Sequence, residues 1–286
     1  MIKNQNLRID GVEKFYDFCK TLRHGQIYEH LLFASITELF DKFHPFDLKK
    51  EKIVYRARKV KLFEDIQTYD DDPISFIGFG RKDSFSPPKG KTPKNRANFK
   101  GSPVLYVSTS KNTAIAETRP YKGNRISVSE IKIKKGLRLF DLCLSTDHIG
   151  SHFMYDHPFD DFAPNTLNDL EANYYNLKDK IACMFTIPYE FTENDEYLPT
   201  QFITEFIKNS SRFDGIRYTS SLSSDGENIA IFDCKNEEDC QCKDEAYTVC
   251  EPISSSLYDV ENIGYFARCW NDYSDYVASP SWAWIK

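Results

Sequence analysis

The chain has 286 residues, enough to bury a large core as one domain or as one domain with an appendage. Its 28% charged and 41% hydrophobic residues describe an ordinary globular protein, and a net charge of -6 excludes the broad basic surface that general nucleic-acid binding needs. No apolar run approaches the ~18 residues of a membrane span, and the start, Met1-Ile2-Lys3-Asn4-Gln5-Asn6-Leu7-Arg8, has no apolar h-region. The expectation is therefore a cytoplasmic protein with neither a membrane nor nucleic acid as a direct partner.

Two helices are predicted over 10–44. Val12, Phe15, Tyr16, Cys19 and Leu22 recur at three- and four-residue steps, as do Leu31, Leu32, Ile36, Leu39, Phe40 and Phe43. Pro45 closes the second, and a charged link leads to a strand over 53–58. The Pro-rich stretch through Pro73, Pro87, Pro88 and Pro93 reads as a long loop, either a lid or an irregular surface segment. Strands follow at 104–108, 125–133 and 137–141, with a helix at 111–118 between the first two. Residues 151–165 read as loop, 166–182 and 198–208 as helices, and 215–220, 228–233 and 247–249 as strands. No regular βαβ alternation appears, so the class is α+β. The division is a helical extension at 1–50, a main α+β domain at 51–260 and an aromatic tail at 261–286 packing on the core.

Four groups of residues carry chemistry. Arg56 and Arg58 alternate with Tyr55 and Ala57 and so share a strand face, either as a fork for a pyrophosphate or as a solvated edge. Arg96 precedes a turn, then a strand with Tyr106, then the helix whose Glu117 follows the small residues Ala114 and Ala116. Glu117 reads as a partly buried carboxylate facing a pocket, or as a surface acid paired with Lys111 or Arg119. Ser220 and Ser221 close a strand where a hydroxyl can bond a ribose or phosphate, or merely shape a turn; no histidine base is local. Cys234, Cys240, Cys242 and Cys250 are spaced C-x5-C-x-C-x7-C, unlike the paired knuckles of structural zinc. With Glu237, Glu238 and Asp239 beside them, they read as free thiols on an exposed acidic connection, and no metal is expected. The six histidines show no ligand spacing, and there is no G-x-G-x-x-G after a strand and no P-loop.

In this order, Tyr55-Arg56-Ala57-Arg58, then the run from Arg96 through Gly101-Ser102-Pro103-Val104-Leu105-Tyr106, then Ala114-Ile115-Ala116-Glu117, Gly215-Ile216-Arg217-Tyr218-Thr219-Ser220 and Asn228-Ile229-Ala230-Ile231-Phe232 resemble the RES-domain family. The resemblance implies a compact mixed-sheet core like that of the ADP-ribosyltransferase toxins, with NAD as substrate rather than cofactor. It implies an enzyme that cleaves the N-glycosidic bond of NAD and releases nicotinamide, by hydrolysis or phosphorolysis, as a growth-inhibiting toxin restrained by an Xre-like antitoxin or another regulatory protein. It assigns Glu117 to cation stabilisation, Arg56 and Arg96 (with Arg58 beside them) to the pyrophosphate, Tyr106 to stacking, and Ser220, or else Ser221, to a substrate hydrogen bond. Two rivals remain: a mono-ADP-ribosyltransferase, and a non-enzymatic partner-binding module. A homo-oligomer is compatible with either.

Overall fold

A computed structural model describes residues 32–42, 44–61, 75–143, 169–186, 197–223, 226–241 and 243–261. The predicted helix in 10–22, the loop at 151–165 and the tail after 261 lie outside these residues. Eight strands form one sheet in the order β1-β5-β6-β7-β3-β2-β4-β8: β1 Phe46–Leu48, β2 Ile53–Val60, β3 Leu105–Ser108, β4 Arg125–Ile133, β5 Leu137–Leu142, β6 Gly215–Thr219, β7 Glu227–Ile231 and β8 Cys250–Asp259. Only β5 and β6 pair in parallel; every other neighbour is antiparallel. The helices are α1 Leu32–Lys42, α2 Lys111–Glu117, α3 Asp169–Thr186, α4 Leu198–Asn209 and the single turn α5 Lys243–Ala246. This is the expected α+β arrangement. Among the described residues no helix is long and apolar enough to cross a membrane.

The period-two alternation of the strands sorts the core onto two faces. On the first, Phe140, Leu142, Ile216, Tyr218 and Ala230 pack against Ile36, Leu39 and Phe40 of α1, Ile181 and Phe185 of α3, and Ile203 and Ile207 of α4. On the second, Val54, Leu105, Val107, Ile131, Leu139, Ile229 and Ile231 pack against Phe85, Cys234, Tyr247 and Cys250. Of the segment 1–50, the described residues from 32 onward contribute to this core: α1 supplies the buried Ile36, Leu39 and Phe40, and β1 pairs with β5 through Leu48 and Leu137.

Two strand predictions need correction. Residues 247–249 are a turn, and the strand is Cys250–Asp259, with β4 as its partner. Pro252 and the run Ser254-Ser255-Ser256 read as a break in sequence. An edge strand, however, tolerates a proline whose missing N–H faces away from the ladder. β1 is three residues long and too short to register as a period.

The described part of the Pro-rich segment, from residue 75 onward, is fastened to the chain that follows β7. Lys82 and Lys91 pair with Glu238 at 2.6 and 3.4 Å, and Lys89 N donates to Asp239 Oδ2 at 2.8 Å. The amide of Asn236 donates to Ser86 O at 2.5 Å. The acidic turn at 237–239 therefore serves as counter-charge for the basic loop. The same region overturns the exposed placement of the thiols. Cys234 and Cys250 are buried with their sulfurs 3.4 Å apart, because Cys250 opens β8 opposite Ile133 while Cys234 follows β7 on the same face. The bond between them and burial hold the Cys234 thiol well above its usual range. Cys240 is half-buried, and Cys242 lies outside the described residues. No group of three or more His, Cys, Asp or Glu suited to a metal occurs among the described residues.

Candidate active site

The site is built where the sheet loosens. β2 shares eight paired positions with β4 but a single one with β3, Tyr55 opposite Ser108. Helix α2 covers the first face beside this seam: the Lys111 ammonium lies 5.7 Å from the Tyr55 ring centroid, and Lys59 Nζ donates to Arg119 O at 2.8 Å. Ser110 starts α2 as its N-cap, its hydroxyl accepting the Thr113 N–H at 3.1 Å. The helix ends at Glu117, two residues before Arg119 turns the chain at φ 48°.

Glu117 is solvent-exposed, not partly buried, yet its Oε1 is fixed from below. The Ser220 hydroxyl and the Asn228 amide each donate to it at 2.6 Å. Both donors are buried, at 6% and 5% exposure. Lys111 pairs instead with Glu130 at 3.2 Å, so that half of the surface-pair alternative does not hold. The turn that brings Ser220 under α2 depends on Gly226: a Cβ there would sit 2.5 Å from Thr113 Cγ2, and its carbonyl accepts the Ser220 N–H at 2.8 Å. Ser220 Oγ also accepts the Leu222 N–H at 3.1 Å, which commits its single hydrogen to Glu117. Its hydroxyl proton is thus directed at the carboxylate rather than held free for a substrate.

Arg96 sits in a tight turn in which Asn95 and Asn98 exchange backbone hydrogen bonds at 3.0 and 3.2 Å. Tyr106 of β3 clamps this turn: its hydroxyl accepts the Ala97 N–H and donates to Asn98 Oδ1, both at 2.8 Å. From α4, Thr200 Oγ1 donates to Arg96 O at 2.7 Å and the Gln201 amide to Asn95 O at 2.8 Å. The Arg96 guanidinium donates to Met184 O at 2.7 Å and lies 5.2 Å from the Tyr197 ring centroid. Burial raises the ionisation of Tyr106 and of Tyr218 well above that of a free phenol; the Glu117 charge adds to the rise at Tyr218 and the Arg96 charge opposes it at both rings. Glu117, Tyr218, Arg96 and Tyr106 therefore share one electrostatic neighbourhood.

Arg56 and Arg58 do share a strand face, and it is the one opposite α2. Arg58 donates to Asp83 O and stacks 4.6 Å over Phe79, which leaves it structural and exposed. Arg56 is different. It keeps partial exposure, but its Nη1 is enclosed with no hydrogen-bond partner among the described residues. Burial, and then the charge of Arg58, depress its ionisation to about 9, while Tyr106 is near enough to oppose the shift. A cation enclosed without an acceptor is costly, and a bound anion would satisfy it.

Sequence reasoning missed Asn228, Ser108, Tyr218 and Tyr197. The signal for Asn228 was present: it occupies the same alternation as Ala230 and Phe232, a buried polar side chain on an apolar face. A family model described as the RES domain matches residues 76–250, more than half of the chain. That span contains Arg96, Tyr106, Glu117, Ser220 and Asn228, whereas Arg56 and Arg58 precede it. No curated protein and no solved structure matches the chain.

Proposed function

The chain belongs to the RES-domain family, and from that premise we propose that it consumes NAD, cleaving the bond between nicotinamide and ribose. The observation that carries this reading is the Glu117 carboxylate, exposed on one side and tied through Oε1 to two buried donors on the other. As the C1′–N bond breaks, its electron pair leaves with the pyridinium nitrogen, nicotinamide departs neutral, and positive charge develops on the ribose. A carboxylate already fixed in place stabilises that charge without reorganising. The oxygen of water or phosphate then bonds C1′ and loses its proton to solvent. Arg96 supplies a pyrophosphate contact on the face that carries Glu117, and Arg56, which starts from the opposite face, an anion contact reached through the gap where β2 parts from β3 beside Tyr106. Tyr106 serves chiefly to hold the Arg96 turn. An ADP-ribosyltransferase-like cleft, toxicity to growing cells and restraint by a dedicated antitoxin protein belong to the same reading.

Incubating the purified chain with NAD, with and without phosphate, and resolving products by mass tests it. Free nicotinamide with ADP-ribose, or with its 1-phosphate, is expected. Glu117→Gln keeps the size and should lower the rate by about 10²–10³. Intact NAD under both conditions would overturn the proposal.

A further inference from the structure

The seven-residue helix α2 ends at Glu117 and cannot hold its own last side chain, so the orientation of the acid is set from the sheet. We propose that Asn228, itself oriented by Ser108, is a positioning residue that grips Glu117 by Oε1 and leaves Oε2 to the substrate. The inference rests on the reading of Glu117 as the cation-stabilising carboxylate.

The strand register brings the parts together. Ser108 of β3 and Asn228 of β7 are paired residues in adjacent antiparallel strands, with side chains on the face that carries α2. The Ser108 hydroxyl lies 2.7 Å from Asn228 Oδ1, and the Asn228 Nδ2 lies 2.6 Å from Glu117 Oε1. Turning the amide over would set Oδ1 against a carboxylate oxygen, two acceptors in contact. One orientation alone satisfies both ends, with Ser108 donating to the amide oxygen and the amide donating to the acid. Ser108 and Asn228 are buried, at 3% and 5% exposure, so water does not compete for these bonds. Ser220 arrives on the same oxygen, and bonds to a charged acceptor are about twice as strong as neutral ones. Both donors converge on Oε1, and among the described residues no hydrogen bond falls on Oε2, which is left for the substrate.

The test compares the full chain with Asn228→Ala, Asn228→Asp and Ser108→Ala, each checked for an unchanged fold by circular dichroism. For Asn228→Ala we expect kcat on NAD to fall about 10–100-fold while KM changes less than about threefold, since the residue acts on the acid and not on the substrate. The isosteric Asn228→Asp sets a second carboxylate against the first in place of a donor and should lose at least as much kcat as Asn228→Ala. In a Glu117→Gln background Asn228→Ala should add little, because the residues act as a unit. A raised KM with unchanged kcat, or fully additive losses, would overturn the inference. A wild-type chain that leaves NAD intact would remove the functional reading only. A crystal structure of Asn228→Ala needs no turnover and decides the arrangement by itself. The Glu117 carboxylate should leave the orientation it holds against Ser220 and Asn228; an unchanged Glu117 side chain in the variant would refute the grip.

Discussion

Replacing Arg56 by methionine should make the protein more stable and less able to use NAD, a pair of opposite effects that few other roles would produce. The guanidinium is held at about 9, well below the ordinary arginine range, mainly by burial, and its Nη1 has no acceptor among the described residues. At about 1.36 kcal/mol for each pH unit, full desolvation would cost roughly 5 kcal/mol. The side chain keeps some solvent contact, which relieves most of that, and about 1–3 kcal/mol remains. The sign follows from linkage. Below pH 9 both folded and unfolded chains carry the charge and the penalty is fully present. From about 9 up to the ordinary arginine range the unfolded chain binds the proton more readily, so stability rises with pH there. Methionine fills much of the same volume without charge and should raise the melting temperature at pH 7 by about 2–6 °C. The wild type should lose part of that difference as the pH is raised towards 10. Calorimetry with and without NAD, beside a nicotinamide-release assay, reads both halves. A destabilised Arg56→Met that still turns NAD over normally would refute the account of Arg56 as an unsatisfied cation awaiting a phosphate.

Three other outcomes follow from the packing. Tyr106→Phe leaves the buried Ala97 N–H and Asn98 Oδ1 without their partner, so chemical denaturation should show a loss of about 1–3 kcal/mol, and KM for NAD should rise as the Arg96 turn loosens; unchanged stability would show that the clamp is unimportant. Cys234 and Cys250 should resist a thiol reagent at pH 8 in the folded protein and react only on unfolding, since both are buried from the reagent and the bond to Cys250 holds Cys234 as the thiol; Cys143 and Cys183, pushed up to about 12 by burial, should also react slowly. Gly215→Ala would place a Cβ 2.5 Å from Ala230 O and 3.1 Å from Leu139 Cδ2, inside the ladder that joins β6 to β7, and should destabilise by about 2–4 kcal/mol in a urea titration.

The sequence by itself determined the strands and helices whose apolar period is long and uninterrupted, such as β4, α4 and the run from Tyr106 to Glu117. Local spacing fixes which side chains share a face, and it placed Arg56 beside Arg58 and Glu117 at the end of a short helix. It said nothing of what lies across from those faces. The partners of Glu117 stand 103 and 111 residues away, and they meet it through the β3–β7 register and a turn that only Gly226 permits. The fate of the acidic cysteine segment was likewise settled at long range. Its carboxylates meet lysines about 150 residues earlier, and its thiols meet each other beneath β8, so charge that reads as solvated in one dimension becomes paired in three. Even the two arginines of one strand parted company. Phe79 and the Asp83 carbonyl take Arg58, while Arg56 keeps an enclosed nitrogen unsatisfied, because alternation sets a direction and only the packed fold decides what stands there.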